Sequence, residues 1–162
     1  MIAYQKRNTK TGVTPKKIGI QSVTIAHHRS HLTRDAGPRE RDQRVAPPQR
    51  VYEMAQVDQK DIDALYVYDA FSTNTWTALE RFGFCKAGEA HLFTQNGNIE
   101  LGGQLPINTN GGLMSEGHFS GYNHFVEMTR QLRGECGERQ VQGAEVAQWI
   151  TPFGDSLLLT KR

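Results

Sequence analysis

Asn108-Thr109-Asn110-Gly111-Gly112-Leu113-Met114-Ser115-Glu116-Gly117-His118-Phe119-Ser120-Gly121 places one histidine in a glycine-flanked turn ahead of a helical pattern. Downstream, Tyr122, Phe125, Val126 and Leu132 recur at helical spacing and Gly134 supplies a stop, which predicts a helix from about Phe119 to Arg133. The first N–H groups of a helix are unpaired and its dipole is positive there, so His118 is expected to stay neutral with a ring N–H available to an oxyanion. Taken alone, Gly111, Gly112, Gly117 and Gly121 read equally well as a flexible loop, with His118 an ordinary residue of the helix start. The flanking segments bear on that choice.

Upstream, Asp61-Ile62-Asp63 leads into a short apolar strand, Ala64 to Val67. Phe71, Thr75, Ala78, Leu79 and Phe82 then mark an amphipathic helix, with Ser72 or Thr73 near its start and Gly83 as its stop. Residues 83 to 106 are glycine-punctuated and irregular, and Leu105 to Thr109 can form a short strand. Earlier, Ile18 to Ala26 alternates apolar and polar residues as a half-buried strand does, and Pro47-Pro48 can open a helix through Val51, Met54 and Ala55. At the other end, Val146 to Ile150 and Ser156 to Leu159 suit a hairpin joined across Thr151-Pro152-Phe153-Gly154-Asp155. Strands thus alternate with helices until a final strand pair, as in a layered α/β domain, and no internal repeat is visible.

The chain has 162 residues, 37% of them apolar, enough for a single core. No apolar run approaches the roughly 18 residues of a membrane span, and Met1 to Lys17 has no signal-peptide core, so a soluble cytoplasmic protein is expected. Two cysteines, Cys85 and Cys136, make neither a disulfide framework nor a zinc pattern, which fits a reducing compartment. The net charge of +2 hides an asymmetry: residues 1–50 hold 11 Lys and Arg against 3 Asp and Glu, net +8, and the remainder is net −6. A basic segment of this kind can meet nucleic acid or the phosphates of coenzyme A. Without interleaved aromatics after Tyr4 or a nucleic-acid motif, it reads instead as a solvated arm, with residues 1–16 as a disordered lead-in and 17–162 as the domain.

Tyr66-Val67-Tyr68-Asp69-Ala70-Phe71, Gly83-Phe84-Cys85-Lys86-Ala87-Gly88-Glu89, the histidine turn and Gln131-Leu132-Arg133-Gly134-Glu135 occur in an order and spacing that resemble the C-terminal half of a thiolase. The likeness is to the lipid-transfer or sterol-carrier-protein-type branch, and it covers about residues 45 to 160. It implies an α/β thiolase-like C-terminal domain, a mixed sheet of about five strands covered by helices. In that family the domain packs against a similar first domain that carries the acylated cysteine, with coenzyme A thioester between them. That first half has no counterpart in this sequence, so the resemblance implies a thiolase-like acyltransferase half, silent by itself. It also implies a complementary N-terminal half or a homodimer as partner. An OB-fold, zinc-ribbon accessory protein is a further candidate, and no resident cofactor is expected.

By the same resemblance His118 matches the histidine of the glycine-histidine-proline-x-glycine motif, which forms an oxyanion hole for the thioester. Here Phe119 replaces the proline. Tyr68 stands where biosynthetic thiolases carry asparagine and sterol-carrier types carry histidine, and its phenol can donate to the same oxygen. Tyrosine there also resembles the lipid-transfer-protein aldolases, which makes a retro-aldolase an alternative function; a non-catalytic binding module from a split thiolase is another. His118 and Tyr68 are thus the candidate catalytic pair, with Asn110, Gly117, Phe119 and Gly121 as candidate substrate contacts.

Other reactive side chains read more simply. Asp69 is expected to cap the helix that follows it, and Asn108 and Asn110 to orient the turn or contact His118. Cys85 could serve as a nucleophile if Lys86 lowered its pKa, but the sequence supplies no base against it, and Cys136 reads as a surface-loop residue. Where many thiolases carry a second catalytic cysteine, this chain has Thr151-Pro152-Phe153-Gly154-Asp155. His27, His28 and His31 cluster without the patterned companions zinc requires, and His91 and His124 receive no role.

Overall fold

The computed structural model of the chain describes residues 20–26, as backbone, and residues 49–161. The expected lead-in, the His27, His28 and His31 cluster, and Pro47-Pro48 lie outside the described residues. Among the described residues four strands form one sheet, β1 (Ile20–Ala26), β2 (Ala64–Val67), β3 (Val146–Ile150) and β4 (Ser156–Lys161), in the order β1-β4-β3-β2. β1 and β3 each run antiparallel to β4, and β2 runs parallel to β3 with Ala64 opposite Ala147 and Val67 opposite Ile150. The hairpin that the sequence predicts across residues 151–155 is present: Ile150 faces Ser156, and Thr151 N–H donates to the Asp155 carbonyl at 3.0 Å.

All four residues of β2 are buried, because consecutive side chains alternate between two covered faces. Leu65 and Val67 pack with Val51 and Tyr52 of α1 (Gln49–Ala55) and with Ala78, Leu79 and Phe82 of α2 (Ser72–Phe82). Ala64 and Tyr66 pack on the other side with Met128 and Leu132 of α5 (Tyr122–Arg133) and with Ala147 and Leu159. Two short helices the sequence pattern leaves in loops, α3 (Ala90–Phe93) and α4 (Gly112–Glu116), complete the helical elements between α2 and α5. Gly83 and Gly134 close α2 and α5 as expected. Phe71, assigned by spacing to the core face of α2, is instead 72% exposed at the N-cap.

The fifth strand expected over Leu105 to Thr109 is reduced to an isolated parallel bridge between Leu65 and Ile107. Pro106 has no N–H to extend a ladder, and Asn108 takes a positive φ of 49° that turns the chain away. Its side chain then does what a strand peptide would have done. Val67 N–H donates to Asn108 Oδ1 at 2.8 Å, and Asn108 Nδ2 donates to the Val67 carbonyl at 3.2 Å.

Asn108→Ala removes both bonds and places a less tolerant residue in left-handed backbone, so it should lower unfolding stability by about 2–3 kcal/mol. Urea denaturation of the two proteins checks this, and equal midpoints would contradict the side-chain pairing.

Candidate functional site

Tyr68 extends β2 by one residue, its N–H donating to the Ile150 carbonyl at 3.0 Å, so its side chain emerges where the strand ends. His118 lies in the link between α4 and α5. The Tyr68 hydroxyl and His118 Nε2 are 2.7 Å apart, with the rings edge-on at 69°. Tyr68 is half-buried and His118 exposed, so the pair faces outward. The helix expected from Phe119 starts only at Tyr122, with Gly121 as its N-cap. A turn led by Ser120 at φ 53° and Gly121 at φ 87° intervenes, and the imidazole is held by the phenol rather than by the helix end.

The four candidate substrate contacts fall into two kinds. Asn110 bonds to Glu116 and not to His118: its Nδ2 donates to Glu116 Oε2 at 2.6 Å, and the same oxygen accepts from Asn123 Nδ2 at 2.9 Å, which braces α4 against α5. Gly117, Phe119 and Gly121 shape the turn. The Phe119 ring, 58% exposed overall, lies so close to Gly117 that a Cβ there would meet it at 3.1 Å, and a Cβ at Gly121 would meet the Trp149 indole at the same distance. An open cleft of ≈ 570 Å³, lined by Lys60, Asp63, Gln104 and Gln140 among others, lies beyond the opposite end of β2 and includes none of these residues.

Two polar side chains, Asp69 and His124, support this end of the sheet in ways the sequence pattern does not foretell. Asp69 caps a distant helix rather than the one that follows it: its Oδ1 accepts the Leu113 N–H of α4 at 2.8 Å, and no side-chain cap is made at α2. His124 is fully buried, its Nε2 3.5 Å from Asp69 Oδ1, an ion-pair distance whose geometry makes no hydrogen bond. Burial pushes the Asp69 carboxyl up, but the nearby His124 ring and the Leu113 N–H outweigh it, leaving the group below its ordinary value.

Beneath Thr109 lies a second network. The Tyr66 hydroxyl is 2.8 Å from Thr109 Oγ1, which donates to Glu127 Oε1 at 3.1 Å, while Gln131 Nε2 donates to Thr109 and to the Arg139 carbonyl. Burial raises the Glu127 carboxyl, and the Arg139 guanidinium at 3.3 Å, helped by Thr109, more than reverses it. α5 therefore buries His124, Glu127, Met128, Gln131 and Leu132, whereas Tyr122 and Val126, two of the residues whose spacing predicts this helix, are 69% and 60% exposed.

Neither thiol is activated. Cys136 is buried rather than in a surface loop, and burial followed by the Glu127 charge pushes it up to about 11. Cys85 is also raised, by burial and then by Glu80 and Glu89, so Lys86 does not lower it. Among the described residues, no group of three His, Cys, Asp or Glu converges as a metal site, and no helix is long and apolar enough to cross a membrane.

The thiolase C-terminal domain-like family model matches residues 25–151, and the chain belongs to that family. Acetyl-CoA acetyltransferase of Methanothermobacter thermautotrophicus is 37% identical over 142 residues, 85% of this chain and 36% of that protein. Sterol carrier protein 2 of Homo sapiens is 39% identical over 115 residues, 68% of this chain and 21% of that protein, which fits the lipid-transfer, sterol-carrier-type branch. The solved Ltp2-ChsH2(DUF35) aldolase superposes with a TM-score of 0.65 at 33% identity, covering 70% of this chain and 30% of that one. The chain thus spans about a third or less of the length of these relatives.

Both thiols should react with iodoacetamide at pH 7.5 more slowly than free cysteine, by about tenfold or more for Cys136. Mass spectrometry of timed aliquots reads this, and rapid labelling of either would restore it as a nucleophile. Glu127 holds its charge below the ordinary carboxylate range, so its contribution is present at neutral pH and is lost as the pH falls below about 4.5 through the folded value. Arg139→Ala should cost about 1–2 kcal/mol at pH 7, and the gap to the parent should narrow as the pH is lowered beneath the ordinary carboxylate range. Thermal melts across a descending pH series test it, and a gap that does not narrow at any acid pH would assign the loss to packing.

Proposed function

We propose that this member of the thiolase C-terminal domain-like family supplies Tyr68 and His118 to a composite acyl-CoA acyltransferase site that a further polypeptide segment completes. The observation that carries the reading is the 2.7 Å contact between the phenol and the imidazole at the end of β2. A neutral pair of this kind holds two polar hydrogens and uses one internally. If Nε2 carries the ring proton and donates to the phenol oxygen, the phenol hydrogen is left at the contact point for a thioester carbonyl; if the phenol donates, Nδ1–H is the free donor. As the carbonyl oxygen becomes negative during carbon–carbon bond formation or cleavage, one such donor contributes about 3–4 kcal/mol.

The rest of the site follows from what the chain provides and what it lacks. Gly117 and Gly121 keep the turn narrow enough for a thioester to approach, Phe119 offers an exposed ring to an acyl chain, and Asn110 holds α4 in place. Cys85 and Cys136 are both raised, so the acyl-carrying thiolate belongs to the completing segment. Met114, Phe119, Tyr122 and Val126, each more than half exposed on α4, α5 or the link between them, offer apolar surface to that segment or to a second copy. Coenzyme A thioester is the substrate and no resident cofactor is required. We place the protein in the cytoplasm.

A retro-aldolase is the second reading. It is favoured by the aldolase likeness together with the two unactivated thiols, because retro-aldol cleavage needs no cysteine. Here Tyr68 passes its own proton to His118 Nε2 and accepts that of a β-hydroxyl, the carbon–carbon bond breaks to a carbonyl product, and the thioester enolate takes the proton back from the pair.

The test uses the full chain with labelled acetyl-CoA and acetoacetyl-CoA, alone and with the part of the Methanothermobacter acetyltransferase outside the matched region. We expect no turnover alone, turnover with the complement, and a loss of about 100-fold or more in His118→Ala. Turnover by the isolated chain, or full activity in His118→Ala, would overturn the reading. Cleavage of a β-hydroxyacyl-CoA, abolished in Tyr68→Phe, would establish the aldolase, and binding of the complement without any turnover would leave a docking module.

A further inference from the structure

Tyr68 and His118 meet from segments 50 residues apart, and a second link, one residue along from Tyr68, spans the same gap. Asp69 is 8% exposed. Its Oδ1 accepts the Leu113 N–H from α4, and the same oxygen stands 3.5 Å from His124 Nε2 on α5. Its other oxygen presses against Gly112: a Cβ there would overlap Asp69 Oδ2, and Gly112 holds a φ of 72° that other residues rarely adopt. One carboxylate therefore touches both helices that bracket His118.

We infer that Asp69 is a positioning residue for His118, clasping the turn that carries the imidazole to the strand that carries the phenol, so that their contact is set before any ligand arrives. The functional meaning of that contact rests on the donor-pair reading; the clasp itself rests on geometry alone. A helix of five residues such as α4 does not hold its shape unaided. The N–H of Leu113 falls in its first turn, where no intrahelical acceptor exists, and the acceptor it finds is Asp69. A bond to an ionised carboxylate is among the stronger kinds, and a displacement of about 1 Å in a reacting group can cost on the order of 100-fold in rate. Gly112 and Asp69 are complementary: only glycine leaves room for the carboxylate, and the carboxylate fixes the glycine turn.

The full-length chain, labelled with ¹⁵N, gives the test through the imidazole nitrogen shifts of His118 and the exchange rate of the Leu113 amide, with Tyr68→Phe defining the broken contact. Asp69→Ala and Gly112→Ala should move the His118 Nε2 resonance toward its Tyr68→Phe position and speed Leu113 exchange about tenfold or more. Asp69→Asn keeps an acceptor oxygen and should leave both near the parent values. A folded Asp69→Ala protein with an unmoved His118 signal would overturn the inference, as would an Asn variant that shifts as far as the Ala variant. If the alanine variants do not fold, the parent decides: a Leu113 amide exchanging at its unprotected rate would refute the clasp, and protection of about tenfold or more would uphold it. None of these readouts involves a thioester or the completing segment, so the clasp and the proposed activity can fail separately.

Discussion

The carboxyl end of β2 has peptide groups to satisfy and, among the described residues, no strand beyond it to satisfy them. Side chains take over that task. The Asn108 amide pairs with Val67 as a neighbouring strand would, and two residues on, the Asp69 carboxylate takes up an N–H of α4. Because Asn108 precedes the glycine pair and α4 begins at the second of the two, these bonds also fix where the chain turns. His118 reaches Tyr68 as a consequence.

α5 shows the cost of this arrangement. A helix lying on a sheet ordinarily buries its apolar side, yet α5 buries a histidine, a glutamate and a glutamine while exposing Tyr122 and Val126. The buried groups are tolerable because Thr109, Arg139 and the Arg139 carbonyl pair with Glu127 and Gln131, whereas both His124 nitrogens lack a hydrogen-bond partner.

The fold was readable where periodicity reports burial. β2, β3, β4 and the hairpin stand where alternation and turn residues place them, and α2 and α5 end at the glycines that stop them. Long-range side-chain pairing was not readable. Nothing local marks Asp69 as the partner of Leu113, 44 residues away, or shows that Asn108 would replace a fifth strand. The same limit hid which side of α5 is buried: of its spaced apolar residues Leu132 and Phe125 join the core while Tyr122 and Val126 do not, and Glu127 and Gln131 are drawn in by partners outside the helix. His124 could have been found as the one imidazole on the side of α5 that carries Met128 and Gln131. Tyr68 and His118 came from the motif order; their contact is a fact of three dimensions.

The central claim is that the paired phenol and imidazole leave one donor for a carbonyl oxygen. A crystal structure of the completed assembly with acetoacetyl-CoA bound tests it directly. The account predicts a thioester oxygen within about 3.2 Å of Tyr68 Oη or a His118 ring nitrogen, with the acyl chain passing Phe119. A thioester seated elsewhere, with both side chains still paired and no carbonyl within about 5 Å of either, would contradict it.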